Sequence, residues 1–300
     1  MKNTVIVSVP ATTANMGPGF DCLGMALGLY NDIHMTLSPG RISIEVEGEG
    51  ADDIKRDERN IVWRAAQRVF QEIGRENPGL CITLVNKIPT ARGLGSSAAA
   101  IVGGLVAANR LTGETLSREK ILSLATELEG HPDNVAPALL GGMVISVVAE
   151  GVVHTLKICP PGELSAVVAI PDFKLSTHAA REVLPKQVSL QDAIFNLSRS
   201  ALLVGALCEK RLDLLSVASQ DVLHQPFRAP LVPGLLKVIE EAHRAGALSV
   251  ALSGAGPAVI ALTDGYSEGI AQIMQDTFRE AGVNCQVKVL QPAVDGTQIL

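Results

Sequence analysis

Pro89-Thr90-Ala91-Arg92-Gly93-Leu94-Gly95-Ser96-Ser97-Ala98-Ala99-Ala100 joins a strand pattern, Leu80 to Val85, to a small-residue helix pattern running from Ser96 to about Asn109. Its glycines permit positive φ and close approach of the backbone to a ligand. Ser96 and Ser97 open the helix, where free N–H groups and the helix dipole attract anions. The alanines leave no bulk there, and the two hydroxyls suit a phosphate or a metal-bound water. A tight turn with a serine cap is the ordinary alternative. The double serine after Gly-Leu-Gly, together with the alanine run, favours phosphate. The stretch is neither a Walker loop nor a dinucleotide fingerprint.

Strand and helix patterns mix on both sides of this loop. Thr4 to Val9 reads as a strand stopped by Pro10, with further strands over Ile33–Leu37 and Ile42–Val46. Asn60 caps a helix carried by Val62, Ala66, Val69, Phe70 and Ile73. Another helix follows Ser117 to about Glu129, and Gly142–Val148 with Val152–Ile158 reads as a hairpin. Cys159-Pro160-Pro161-Gly162 is the linker candidate. Beyond it come a strand over Ala166–Ile170, helices from Ser176, Ser189 and Pro233, strands over Leu248–Leu252 and Ala258–Leu262, a helix to Ala281, and a strand over Cys285–Leu290. The expectation is an α+β chain in two domains, residues 1–160 and 161–300.

Composition agrees. The chain has 300 residues, 47% hydrophobic and 19% charged, so it can bury large cores. A net charge of -6 and 3% aromatics argue against nucleic acid as a partner. The apolar run Val135–Ala149 is shorter than the ~18 residues of a membrane span. The N-terminal apolar run is too short for a signal peptide. Five scattered cysteines give no zinc spacing and no disulfide framework, which points to the cytoplasm.

Five more segments carry chemistry. Glu127-Leu128-Glu129-Gly130-His131-Pro132-Asp133-Asn134 ends a helix with carboxylates placed against its dipole, a cost tolerated where a cation sits. Glu127 is of a type that can hold Mg²⁺, a hard ion that takes one or two carboxylates alongside phosphates. Asp133 and Asn134 also suit a helix cap, and His131 alone reads as a packed histidine. Pro10 to Asp21 is a polar Gly/Pro loop, and Leu252–Pro257 is a glycine turn. Thr177 and Arg181 share a helical face, and His224-Gln225-Pro226-Phe227-Arg228 sets another arginine by a turn. Two arginines can grip a carboxylate, although each alone reads more simply as a surface ion pair.

In order, the loop ending Asn15–Asp21, the Pro89–Ala100 loop and Ser253–Pro257 resemble the three motifs of the GHMP kinases, which phosphorylate sugars, mevalonate and homoserine. The resemblance spans nearly the whole chain. Pro10–Asp21, His131–Gly142 and His224–Arg228 resemble the branch acting on L-homoserine. What the resemblance implies is ATP plus L-homoserine giving ADP plus O-phospho-L-homoserine, on the way to threonine. It implies a first domain like the second domain of ribosomal protein S5, a ferredoxin-like second domain, and an active site in the cleft between them. Pro89, Thr90, Ala91, Arg92, Gly93, Leu94, Gly95, Ser96, Ser97, Ala98 and Ala99 would wrap the ATP phosphates, with Ser97 and Glu127 at Mg²⁺. Asn15, Asp21, His131, Asp133 and Asn134 would line the homoserine pocket. Arg181 and Arg228 would hold the substrate carboxylate, and Thr177 would sit by the reacting hydroxyl. Glu127, Asp133 and Thr177 are thus the expected catalytic set, with Asp133 mainly a substrate anchor. Many relatives have glycine where Ala91 stands, and alanine there predicts a negative φ.

The rivals are a mevalonate-, shikimate- or sugar-directed member of the same family and a non-catalytic nucleotide binder. Asp21 with two arginines favours an amino acid. Retention of Glu127 and the serine pair favours catalysis. The low charged fraction is compatible with a buried homodimer face.

Overall fold

The structure, a computed structural model, describes residues 4–300. Its first layer is a seven-stranded sheet. Strand β1 (Thr4–Ala14) pairs antiparallel with β2 (Leu23–Leu37). Pro10 does not stop β1 as expected. The register shifts between Pro10 and Ala11, and such an irregularity accommodates a residue with no N–H to donate. The long β2 serves two partners on its other side. Asp32–Leu37 pair with β4 (Leu80–Asn86), and Leu23–Met25 pair with β5 (Met143–Ala149). Parallel to β4 lies β3 (Ile42–Gly48), and β6 (Val152–Ile158) closes a hairpin with β5.

Four helices accompany this sheet: α1 (Ile61–Glu72), α2 (Ser96–Leu111), α3 (Arg118–Glu129) and α4 (Pro132–Leu140). Their starts are side-chain encoded. The Asn60 carboxamide oxygen accepts from the Val62 amide at 2.8 Å, and Ser117 Oγ accepts from Lys120 at 3.2 Å. Pro132 occupies the first turn of α4, where its missing N–H costs nothing.

The Cys159–Gly162 stretch leads from β6 into a second sheet. Its strands are β7 (Ser165–Pro171), β8 (Ser249–Leu252), β9 (Val259–Thr263) and β10 (Cys285–Leu290). The spatial order β10-β7-β9-β8, all antiparallel, is the ferredoxin-like plan. Between β7 and β8 run α5 (Thr177–Glu182), α6 (Leu190–Cys208), the short α7 (Leu215–Ala218) and α8 (Gln225–Arg228), and α9 (Leu235–Arg244). Helix α10 (Ser267–Glu280) precedes β10. Strand β7 is buried on both faces. Val167 and Ala169 join the core under α9 and α10, while Ala166, Val168 and Ile170 join the large core shared with the first sheet.

The architecture is the expected α+β, with one difference in where the chain ends. β11 (Gln298–Ile299) pairs with β1, so the final stretch returns to the first sheet and does not stay with the second unit.

Candidate active site

The phosphate-loop candidate lies between the two sheets. Gly95 stands before Ser96 at φ 67°, and a Cβ there would lie 1.9 Å from Thr12 Oγ1. A Cβ on Gly93 would lie 2.2 Å from the Ser253 carbonyl oxygen. Only glycine fits either place. The glycine turn of the second half therefore packs on the phosphate loop of the first. Ser253 Oγ donates to the Gly93 carbonyl at 2.6 Å, and the Ala258 amide donates to the Arg92 carbonyl at 3.1 Å.

The first intrahelical bond of α2 runs from the Ala99 amide to the Gly95 carbonyl at 2.9 Å, which leaves the Ser96, Ser97 and Ala98 amides ahead of it. The methyls of Ala98 and Ala99 are buried in the core, so these residues offer backbone alone. Ala91 corrects an expectation: its φ is 54°, not negative. Its carbonyl accepts from the Leu175 amide at 3.1 Å, and that cross-domain bond helps hold the left-handed turn. Arg92 donates to the Asp172 carbonyl at 2.7 Å across the same junction. Pro89 is buried and faces a neighbouring cleft.

A cavity of about 100 Å³ sits against this loop. Asn15, Asp21, His131, Asp133, Asn134, Thr177, Arg181 and Arg228 all line it, together with residues 91–97 and 254–256. Residues from both halves therefore converge as expected. Glu127 does not. Its side chain is 59% exposed and faces Arg68 at 3.4 Å, outside the cavity. Glu129 occupies the position assigned to Glu127: it lines the cavity and accepts from Ser97 Oγ at 2.8 Å. Burial pushes its carboxyl up, with a nearby Asp133 adding to the effect.

The polar network around the cavity is directional. His131 Nδ1 lies 2.6 Å from Asp133 Oδ1, and that bond raises the imidazole pKa. Asn134 donates to the same oxygen at 3.3 Å and accepts from Thr12 Oγ1 at 2.8 Å. Asp133 and Asn134 therefore sit inside the first turn of α4, and His131 holds its N-cap position. Asn15 donates to the Gly254 carbonyl at 2.8 Å and accepts from the Asp21 amide at 3.0 Å.

Arg181 and Asp21 form a two-pronged ion pair at 2.7 and 2.9 Å. Arg228 is 1% exposed, and burial lowers its guanidinium to about 10. The Phe20 ring is close to both arginines, its centroid 5.6 Å from the Arg181 guanidinium carbon and 5.3 Å from that of Arg228.

A second cavity, of about 370 Å³, adjoins the loop at Thr90, Ala91, Ser96 and Ser97. Ile33, Ile54, Ile61, Val62 and Leu84 give it an apolar lining, and Asn31, Asn60 and Asn86 place amides at it. Sequence reasoning missed this cavity, because its residues come from separate elements with no motif in common. It also missed Asp221, whose buried carboxylate accepts from Asn196 and from the amides of Leu223, His224 and Gln225 at 2.7–3.1 Å.

Residues 60–142 match the model for the GHMP kinases N terminal domain, and residues 203–282 match that for the GHMP kinases C terminal. The chain is 48% identical over 292 residues to a homoserine kinase of Carboxydothermus hydrogenoformans, covering 97% of this chain and 95% of that protein. It is 48% identical over 296 residues to a homoserine kinase of Moorella thermoacetica, covering 98% and 99%. The crystal structure of homoserine kinase from Cytophaga hutchinsonii is similar with a TM-score of 0.91 at 33% identity, covering 100% of this chain and 98% of that one.

Proposed function

The chain belongs to the GHMP kinases, and we propose that it transfers the γ-phosphoryl group of ATP to the side-chain hydroxyl of L-homoserine, a step toward threonine. One observation carries the substrate reading. The cavity beside the phosphate loop sets the Asp21 carboxylate beside the Arg181 and Arg228 guanidinium groups, the complement of a zwitterionic amino acid, and leaves the Glu129 and Asp133 carboxylates to the rest of the site. Mevalonate, shikimate and sugars have no ammonium group for Asp21.

The residues fit the nucleotide. The apolar cavity takes a flat base, and it opens on Ser96 and Ser97 at the α2 start, where amides meet anionic phosphates. They also fit Mg²⁺, which takes one or two carboxylates alongside phosphate oxygens. Among the described residues Glu129 has no cationic partner beyond the nearby His131, and Ser97 Oγ lies at its carboxylate. When bound, the ion neutralises charge on the phosphates. Everything else is positioning. Asp21 takes the substrate ammonium, Arg181 and Arg228 take its carboxylate, and Thr177, at the first turn of α5, faces its hydroxyl. Asp133 is held by His131 and Asn134, which supports an anchoring role over that of a general base.

The same reading includes a homodimer, built on the outward face of α6, and a cytoplasmic enzyme whose five cysteines stay free thiols. The test is ADP release from Mg-ATP with L-homoserine, D-homoserine, mevalonate, shikimate and galactose offered separately. Activity with L-homoserine alone, lost in Arg228→Ala, is the expected result. Turnover of mevalonate or galactose at a comparable rate would overturn the amino-acid assignment.

A further inference from the structure

His224 touches neither phosphate loop nor cavity, yet it is 0% exposed and joins the two sides of the amino-acid site. Its Nε2 lies 2.7 Å from the Gly17 carbonyl oxygen. A carbonyl only accepts, so Nε2 carries a proton. Its Nδ1 lies 3.2 Å from Arg228 Nη1. A guanidinium only donates, so Nδ1 presents a lone pair. The two contacts together define one tautomer of a neutral imidazole. The ring also stacks on Phe20 at 5.2 Å, three residues beyond Gly17 and next to Asp21.

Arg228 depends on that lone pair. Its Nε donates to the Ala180 carbonyl at 3.0 Å, and Nη1 is shared between the Gly254 carbonyl at 3.1 Å and His224. These bonds fix the plane of the guanidinium and leave Nη2 without a hydrogen-bond partner among the described residues, and Arg228 lines the cavity. The histidine is itself fixed by Asp221, whose carboxylate accepts from the His224 backbone amide at 3.1 Å.

We propose that His224 is a positioning residue for substrate: as a neutral Nε2–H imidazole it ties the Arg228 guanidinium to the Gly17–Asp21 loop, so that the carboxylate-binding and ammonium-binding groups keep a fixed separation. The inference rests on the amino-acid reading of the cavity given above. Protonation at Nδ1 would turn an N–H toward Arg228 and add a like charge. The groups that face the ring are Asp221 on its own turn, Arg228 on α8, and Asp21 with Phe20 on the loop after β1. Burial and Arg228 favour the neutral ring, and outweigh the two carboxylates.

The decisive measurement is a long-range ¹H–¹⁵N spectrum of the histidine-labelled wild-type protein. The expected result is one buried ring in the Nε2–H form that stays neutral below the ordinary histidine range near pH 6.5. A ring in the Nδ1–H form, or one charged at neutral pH, overturns the inference whether or not L-homoserine is the substrate. Steady-state kinetics give the second readout. In His224→Leu the KM for L-homoserine should rise on the order of tenfold to a hundredfold, since a buried charged donor loses one of its two acceptors and its tie to the Gly17–Asp21 loop, while the KM for ATP stays unchanged. In His224→Asn, which can return an acceptor to Arg228, most of that loss should be recovered. An unchanged homoserine KM in His224→Leu overturns the inference. Wild-type protein inert toward L-homoserine overturns the substrate reading alone.

Discussion

Two glutamates two residues apart on α3 have opposite fates. At 100° per residue they lie about 200° apart around the helix, so only one can face α2. Glu129 faces Ser97, and Glu127 faces Arg68. The acidic helix end was legible in the sequence, but its rotation was not, because it depends on how α3 packs against α2. The expected consequence is asymmetric. Glu129→Gln should lower kcat about 10²–10³-fold and weaken the apparent Mg²⁺ affinity, as removal of one preorganised electrostatic group typically does. Glu127→Gln should stay within about twofold, since it breaks one exposed ion pair. The metal needs an ionised carboxylate, and burial raises the Glu129 carboxyl. Mg²⁺ dependence should therefore be lost at a higher pH than an ordinary glutamate would allow as the solution is acidified, a shift read from Mg²⁺ titrations across pH. Equal losses in both variants would contradict the assignment. Ala91 carries the same lesson: nothing local reveals its positive φ, because the Leu175 amide that meets its carbonyl lies on the far side of the cleft.

Elements whose signals are local were legible almost to the residue. The hairpin strand β6 and the strand β10 have the bounds that their alternation predicts, and the Asn60, Ser117, Ser176 and Ser189 caps start the helices they announce. The first half of β2 was not legible, since Leu23–Asp32 contains Gly24 and Gly28 and its pairing is with distant β5 and β1. Helix α6 shows both kinds of information at once. Its inner side carries Asn196 and Ser200, which donate to the Pro18 carbonyl at 3.4 and 2.7 Å and so brace the loop between β1 and β2. Its outer side exposes Leu190, Ile194 and Leu197 at 77%, 56% and 72%. Steps of four and three, continued by Ala201, Val204 and Cys208, are the spacing of a helix–helix seam. Arg199 is the one charged residue from Ala193 to Cys208, so two such faces would meet without acidic repulsion despite a net charge of -6 on each chain. A seam about 28 Å long is small for an interface, which predicts a weak dimer. Sedimentation equilibrium should give a dimer at tens of micromolar protein, and Ile194→Lys with Leu197→Lys should give a monomer. A wild-type monomer at that concentration would remove the homodimer from the reading.

The two sheets share one large core, and residues of both halves line the cavity between them. Ala166, Val168 and Ile170 of β7 share a core with Val5, Val7 and Val9 of β1, while the other face of the second sheet packs a core of its own under α9 and α10. The returning C-terminal stretch adds to this. The Gln291 carbonyl accepts from the Gly28 amide at 2.8 Å, and the Ala293 amide donates to the Ala26 carbonyl at 2.9 Å. Lys157 Nζ reaches the Val294 carbonyl at 2.8 Å, Thr297 Oγ1 donates to the Ala138 carbonyl at 2.9 Å, and the Leu300 amide donates to the Ile6 carbonyl at 2.9 Å. These bonds tie β1, β2 and α4, the elements that carry Thr12, Asp133 and Asn134 and lead into the loop with Asn15. Calorimetry of the intact chain should therefore show a single transition. A chain ending at Leu290 loses these bonds, each worth about 1 kcal/mol net. At about 2–4 °C per kcal/mol for a domain of 150–250 residues, its midpoint should fall by roughly 10 °C or more. Its KM for L-homoserine should rise along with that fall, because α4 and the β1 loop lose a common support. Two separate transitions in the intact chain, or a truncated chain of unchanged midpoint, would show that the halves are stable independently and that the cleft is shaped by the phosphate-loop contacts alone.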